Sequence, residues 1–254
     1  MQNKNHLIKP GAGPFYFEGS KIGILLIHGG GGGTCADLKP LAEDLHIKGG
    51  YTISVPLLPG YGTKPEDLKS IQINDWKTFL KKELSKIKDR CDKIVVGGHS
   101  MGGVLTLILA KDYSLDAIFT ISTPIGIQSY LFYLVPFFRI FVKYHNIDSE
   151  QFKKDTNGKW VGYDKIPLNL ATKMKKLIKE VKISLSNIKC PALIFQGRLD
   201  SDIKRNSMDY IFKNIKSKIK RKVWLENNSH PILDSQDHDQ IVLEIVKFIN
   251  EFCP

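Results

Sequence analysis

The sequence predicts an α/β protein with a mostly parallel central sheet and helices on both faces. Two observations predict it. Short, β-branched apolar runs alternate with longer segments whose apolar residues recur at helical spacing, the signature of βαβ units. Glycine- and proline-rich turns separate them, and 254 residues suffice to bury a large core.

The elements follow in order. IGILLI at 22–27 reads as a buried strand and runs into HGGGGGT. A helix is expected from about Cys35 to Lys48, with Leu38, Leu41, Ala42 and Leu45 on one face. YTISVP at 51–56 is the next strand, followed by the loop LLPGYGTKPEDL. From Asp75, residues Trp76, Phe79, Leu80, Leu84 and Ile87 keep helical spacing. KIVVGG at 93–98 is a strand and MGGVLTLILAKDY at 101–113 a buried helix. AIFTIST at 117–123, PALIFQG at 191–197 and RKVWLE at 221–226 complete the strands, and a last helix is expected from about 234 to 252. Right-handed crossovers place the loops after these strands along one sheet edge, where chemistry is to be sought.

One interval breaks the rhythm. Residues 125–189 contain no clear strand and are expected to be a lid or cap inserted into a core formed by 1–124 and 190–254. The insertion carries 12 Lys/Arg against 5 Asp/Glu, so much of the net charge of +11 sits on it. Its aromatic stretch, with Tyr130, Phe132, Tyr133, Phe137 and Phe138, is a candidate wall for a substrate pocket.

Composition narrows the function classes. Lysines are spread over almost every helix rather than gathered in a stripe interleaved with aromatics, so no nucleic-acid partner is expected. No run approaches the roughly 18 apolar residues of a membrane span. Peripheral contact of the basic insertion with a lipid surface stays open. Four scattered cysteines form no CxxC or Cys/His cluster, so no metal site is expected, and they suit a reduced, cytoplasmic protein. No cofactor motif is visible. HGGGGGT lacks the Gly-Lys-Ser/Thr ending of a phosphate loop, and no acidic residue follows where a dinucleotide fold would need one.

The chemistry concentrates in three places. GHSMG at 98–102 matches G-x-S-x-G and lies between a strand and an apolar helix, the setting in which a serine is lifted above the sheet edge. Ser100 is the candidate nucleophile, and small neighbours at Gly98 and Gly102 let strand and helix pass closely. A serine hydroxyl needs a base. Of seven histidines, His230 in ENNSHPILD sits after the last strand, on the same edge. His238 is expected inside the last helix at the surface, and His99 is expected to point away from the tight turn. Asp200, just after PALIFQG, is favoured as the carboxylate that fixes the histidine tautomer, with Asp202 assigned to capping the next helix.

With these residues in place, the chain resembles the α/β-hydrolase fold family, in particular small bacterial carboxylesterases and monoacylglycerol lipases with a short lid. The HG turn, P-x-L-P-G-Y-G, DW, GHSMGG, STP, Q-G-R-L-D and NSH carry the resemblance along nearly the whole chain. It implies a serine carboxylic-ester hydrolase acting through an acyl-enzyme on short- to medium-chain acyl esters or monoacylglycerols. Ser100, His230 and Asp200 would be its triad, with the backbone N–H groups of Gly30 and Met101 as oxyanion donors. Gly30 stands where many such esterases carry a bulky apolar residue. The five glycines are therefore expected to leave the loop mobile, and Gly29 or Gly31 stays an alternative donor. Thioesterase, acyltransferase or C–C hydrolase chemistry, or ligand binding without turnover, would use the same fold.

Overall fold

A computed structural model describes residues 7–138, 142–233 and 235–253. Its strands are β1 (Phe15–Phe17), β2 (Ile22–Ile27), β3 (Thr52–Val55), β4 (Lys93–His99), β5 (Ala117–Ile121), β6 (Tyr144–Asn146), β7 (Lys165–Pro167), β8 (Ala192–Gly197) and β9 (Lys220–Leu225). The helices are α1 (Lys39–Gly49), α2 (Pro65–Ser70), α3 (Ile73–Lys88), α4 (Met101–Asp112), α5 (Tyr130–Phe138), α6 (Ser149–Asp155), α7 (Asn169–Ser184), α8 (Ser207–Asn214) and α9 (His238–Phe252). Short 3₁₀ turns at Cys35–Leu38 and Leu185–Asn187 precede α1 and follow α7.

Seven strands form one sheet in the order β1-β3-β2-β4-β5-β8-β9, all parallel except β1, which pairs antiparallel with β3. The period-2 alternation of the strands sorts their side chains into two cores. Ile24 and Leu26 of β2, Val95 of β4 and Phe119 of β5 pack with Leu41 and Leu45 of α1 and Ile241 and Ile245 of α9. Leu25, Ile27, Val96 and Ile118 face the opposite side, with Trp76 of α3, Val104 and Leu105 of α4, and Ile211 of α8.

Helix α4 is apolar all round, and every residue from Met101 to Ala110 is buried. The reason is that α7 covers the side that the sheet leaves free. Leu177, Ile178 and Val181 of α7 belong to the same core as Val104 and Ile108. The 125–189 interval thus contributes a core helix as well as material above the sheet edge. It also holds strands that its sequence did not reveal, because β6 and β7 are three residues each and pair antiparallel only with one another. Among the described residues, no helix is long and apolar enough to cross a membrane.

Two local readings are corrected. The final helix starts at His238, so His238 occupies its first turn, where Nε2 lies 2.9 Å from Asp44 Oδ2 on α1. Asp202 caps no helix, since α8 begins only at Ser207 with Asn206 as its N-cap.

Candidate active site

Four loops meet at the carboxyl edge: those after β2, β4, β8 and β9. Ser100 is the single residue between β4 and α4, and its φ of 53° is a left-handed value that few non-glycine residues adopt. The tightness of the turn explains its glycines. A Cβ on Gly102 would overlap the Ile27 carbonyl oxygen of β2, and one on Gly98 would overlap the Gly102 backbone.

Ser100 Oγ lies 2.9 Å from His230 Nε2, and His230 Nδ1 lies 2.8 Å from Asp200 Oδ2. The Asp200 side chain is fully buried, and Oδ1 accepts from the N–H groups of Asp202 and Ile203 at 3.0 and 3.3 Å. Burial alone would raise this carboxyl. The bonds from His230 and the two N–H groups outweigh it, and the net effect holds the pKa below the usual carboxylate value. Asp200 is therefore ionised and accepts from Nδ1–H, which leaves Nε2 as an acceptor for the serine hydroxyl. Three residues spread over 131 positions of sequence are brought into one hydrogen-bonded line.

His99 points into this cluster, contrary to the expectation that the turn directs it elsewhere. Its Nε2 lies 2.8 Å from the His230 carbonyl oxygen, which can only accept, so Nε2 carries the proton. Burial, followed by repulsion from His230, lowers the His99 pKa to about 3, so the ring stays neutral. Its Nδ1 is then a buried acceptor with no partner among the described residues. His99 holds the His230 backbone from the position next to the nucleophile.

Three carbonyls of the five-glycine loop, expected from its composition to be mobile, are hydrogen-bonded. Leu58 N–H donates to His28 Nε2 at 3.1 Å, so the His28 proton sits on Nδ1 and bonds the Gly29 carbonyl at 2.8 Å. The Tyr61 hydroxyl donates to the Gly30 carbonyl at 3.2 Å, and Tyr163 N–H to the Gly32 carbonyl at 2.9 Å. Burial lowers the His28 pKa to about 4 and keeps it neutral. Gly30 runs against Met101: a Cβ there would lie 3.0 Å from Met101 Cβ and 2.7 Å from its sulfur. Gly32 has a φ of 94°, and a Cβ on Gly33 would overlap Asp37 Oδ2. Met101 opens α4, so its N–H has no carbonyl one turn back within the helix.

Beside Ser100 lies a recess of about 130 Å³, walled by the glycine loop, the 230–233 segment, and Phe152, Thr156 and Trp160 of the insertion. The aromatic residues expected to line the pocket are placed elsewhere. Tyr130 is 86% exposed, Phe132 packs on the core beside α7, and the Tyr133 hydroxyl bonds the Ile127 backbone. Lys175 of α7 sits over the rings of both Phe132 and Tyr133, which ties that stretch to α7 instead of the recess. The side chains of Phe137 and Phe138 lie outside the described residues. A larger hollow of about 730 Å³ lies between β1 and α3 and contains none of Ser100, Asp200 or His230.

The comparisons with known proteins agree with this geometry. The family model described as "Serine aminopeptidase, S33" matches residues 20–237. The chain is 32% identical over 247 residues to the thermostable monoacylglycerol lipase of Bacillus sp. (strain H-257), covering 97% of each chain. It is 26% identical over 242 residues to a carboxylesterase of Bacillus subtilis (strain 168), covering 94% of this chain and 96% of that one. A solved structure from work on LipS and LipT, two metagenome-derived lipolytic enzymes, superposes with a TM-score of 0.87 at 27% identity. It covers 96% of this chain and all of that one. The parallel sheet, the strained serine between β4 and α4, and these matches lead to one conclusion: the chain belongs to the serine aminopeptidase S33 family of α/β-hydrolases.

Proposed function

We propose that the protein is a serine carboxylic-ester hydrolase acting on short- to medium-chain acyl esters or monoacylglycerols. One observation carries the reading: the continuous line Ser100 Oγ, His230, Asp200, with its serine beside a glycine loop whose carbonyls are already bonded. The named activities of the two Bacillus relatives support the substrate class.

In this reading, His230 Nε2 takes the Ser100 proton as Oγ attacks the ester carbonyl. The oxyanion accepts from the N–H groups of Gly30 and Met101. His28 supports this choice of glycine. By holding the Gly29 carbonyl, it fixes the peptide whose other end is the Gly30 N–H, which then points the opposite way. His230 passes its proton to the departing alcohol, and the acyl group stays on Ser100. Water, activated by the same histidine, then releases the acid. Asp200 holds the tautomer throughout and stabilises the imidazolium.

We further read residues 125–189 as the cap, because Phe152, Thr156 and Trp160 wall the recess. Peripheral contact with a lipid surface is supported by exposed Tyr130, Leu134 and Val142, and by Lys175, which sits over the Tyr133 ring. A reducing, cytoplasmic setting is supported by four cysteines that are all free.

The test is hydrolysis of p-nitrophenyl esters by the native protein and by Ser100→Ala. The substitution is expected to lower kcat by at least about 10³-fold, and equal rates would remove the assignment.

A further inference from the structure

Tyr163 has no part in the triad, yet it is fully buried against the loop that follows β2. Its N–H donates to the Gly32 carbonyl at 2.9 Å. Its hydroxyl donates to the Gly60 carbonyl at 2.8 Å and accepts the Thr63 N–H at 3.0 Å. Burial raises the pKa of this hydroxyl and of the Tyr61 hydroxyl, so both stay protonated. Gly60 and Thr63 bracket Tyr61, whose ring lies 6.4 Å from that of Tyr163 with 11° between the planes. Tyr61 in turn donates to the Gly30 carbonyl. Leu58 of the same loop holds His28, which holds the Gly29 carbonyl.

The neighbours of Tyr163 repeat the contact. Thr34 Oγ1, at the end of the glycine run, donates to the Val161 carbonyl at 2.7 Å. A Cβ on Gly32 would overlap Ile147 and crowd Ile166 of β7, and one on Gly162 would lie 2.6 Å from the Gly32 carbonyl oxygen. Lys9 straps both sides: its Nζ donates to the Gly162 carbonyl at 2.6 Å and its N–H to the Gly62 carbonyl at 2.7 Å.

We propose that residues 161–166 of the insertion are a working part of the oxyanion hole, with Tyr163 as the positioning residue that sets the Gly30 N–H. The inference rests on the ester-hydrolase reading and gives the insertion a role beyond walling the recess. A run of glycines has no side chains with which to fix its own peptides, so their orientation must come from groups outside it. A donor stabilises a developing charge best when it is already aimed and need not reorient. The insertion bonds one glycine carbonyl directly, and it steadies the 58–63 loop that bonds the other two. Those two carbonyls belong to the peptides on either side of Gly30. Tyr163 touches no reacting atom and acts only through these links.

The experiment measures kcat and KM for p-nitrophenyl butyrate and for its thionoester in the native protein, Tyr163→Phe and Thr34→Val. Rates are divided by the fraction of Ser100 that a fluorophosphonate labels, which removes any loss from misfolding. Sulfur accepts hydrogen bonds more weakly than oxygen, so a loosened oxyanion hole slows the oxoester more than the thionoester. Tyr163→Phe keeps the ring and the bond to Gly32 and loses the two hydroxyl bonds. It is expected to lower kcat for the oxoester about tenfold, short of the 10²–10³ for complete loss of a donor, with KM within about twofold. The oxoester-to-thionoester ratio of kcat/KM should fall by about threefold or more. Thr34→Val cuts the bond to Val161 and should lower the same ratio by about twofold or more; it decides the matter if Tyr163→Phe does not fold. An unchanged ratio in the folded variants, or a raised KM at unchanged kcat, overturns the proposal while leaving the hydrolase reading standing. A native protein inert on both esters, with Ser100 unlabelled, overturns the hydrolase reading and the proposal together.

Discussion

His28 Nδ1 lies 2.8 Å from the carbonyl oxygen of Gly29, its own neighbour in sequence. The Leu58 N–H on the far side of the ring allows one tautomer only, so this contact is a donated hydrogen bond and not a repulsion between lone pairs. A buried histidine thereby orients a peptide in a segment whose composition would otherwise leave it free.

Removing that clamp is predicted to affect the transition state more than the ground state. His28→Ala should lower kcat by about 10–100-fold, less than the 10²–10³ typical for complete loss of an oxyanion donor. KM should change little, and a fluorophosphonate should still label Ser100. Steady-state kinetics check this; a rise in KM at constant kcat would mean that the loop binds substrate without stabilising the oxyanion.

Ser100 is predicted to hold a strained conformation at the expense of stability. At φ 53°, replacement by glycine relieves the left-handed backbone, for which non-glycine residues are penalised by about 1–3 kcal/mol. Glycine's extra freedom in the unfolded chain offsets part of this. Ser100→Gly should be inactive and more stable than Ser100→Ala, as measured by urea midpoints.

Asp37 is predicted to lower stability at high pH. Its folded pKa, about 7, lies above the unfolded value near 3.8, so the folded state binds its proton more tightly. The destabilisation begins above pH 3.8 and is complete above about pH 7. Asp37→Asn should therefore unfold at higher urea than the native protein at pH 8, by about 1–3 kcal/mol at 1.4 kcal/mol per pKa unit less the desolvation of the amide. The gain should vanish toward pH 4.

The buried histidines act with the opposite sign. The folded pKa values of His28 and His99, about 4 and about 3, lie below the unfolded value of 6.5. Their neutral forms stabilise the fold fully above pH 6.5, and that contribution is lost as pH falls toward 4 and 3. Asp37 masks this in the native protein, since it gains stability over much of the same range. Urea midpoints of Asp37→Asn should fall steadily from pH 7 to pH 5, and more steeply than those of the native protein. Parallel curves would contradict the assigned pKa shifts.

Much of the architecture was legible in the sequence because it depends on local pattern. The apolar runs at β2, β4 and β8 alternate between two cores, so they read as buried strands, and the apolar period of α3 and α9 reads as amphipathic helices. Strand β1 was missed because three aromatic residues, Phe15–Phe17, carry too short a pattern to announce an edge strand. β6 and β7 were missed for the same reason. The candidate triad was readable because each member follows a recognisable strand, and parallel topology brings strand ends to one edge.

The side chains around the triad were decided by tertiary structure. In sequence, Asp37 is an acidic residue near a helix start, indistinguishable from a solvated one. The fold sets it in a recess that Trp160 and Phe152, more than a hundred residues away, help to wall, and leaves its Oδ1 without a partner among the described residues. His99 is one residue from the nucleophile, yet its partner is the carbonyl of His230, 131 positions on. The glycine run announces freedom, and the fold ties three of its carbonyls through His28, Tyr61 and Tyr163. Hydrophobic periodicity and turn chemistry are written along the chain, so the sequence by itself determined the sheet, its loops and the edge where they meet. Hydrogen-bond partnership and burial depend on which distant segments come together. Only the tertiary structure could decide which glycine carbonyls are clamped, which histidine holds which backbone, and which carboxyl oxygen has no partner among the described residues.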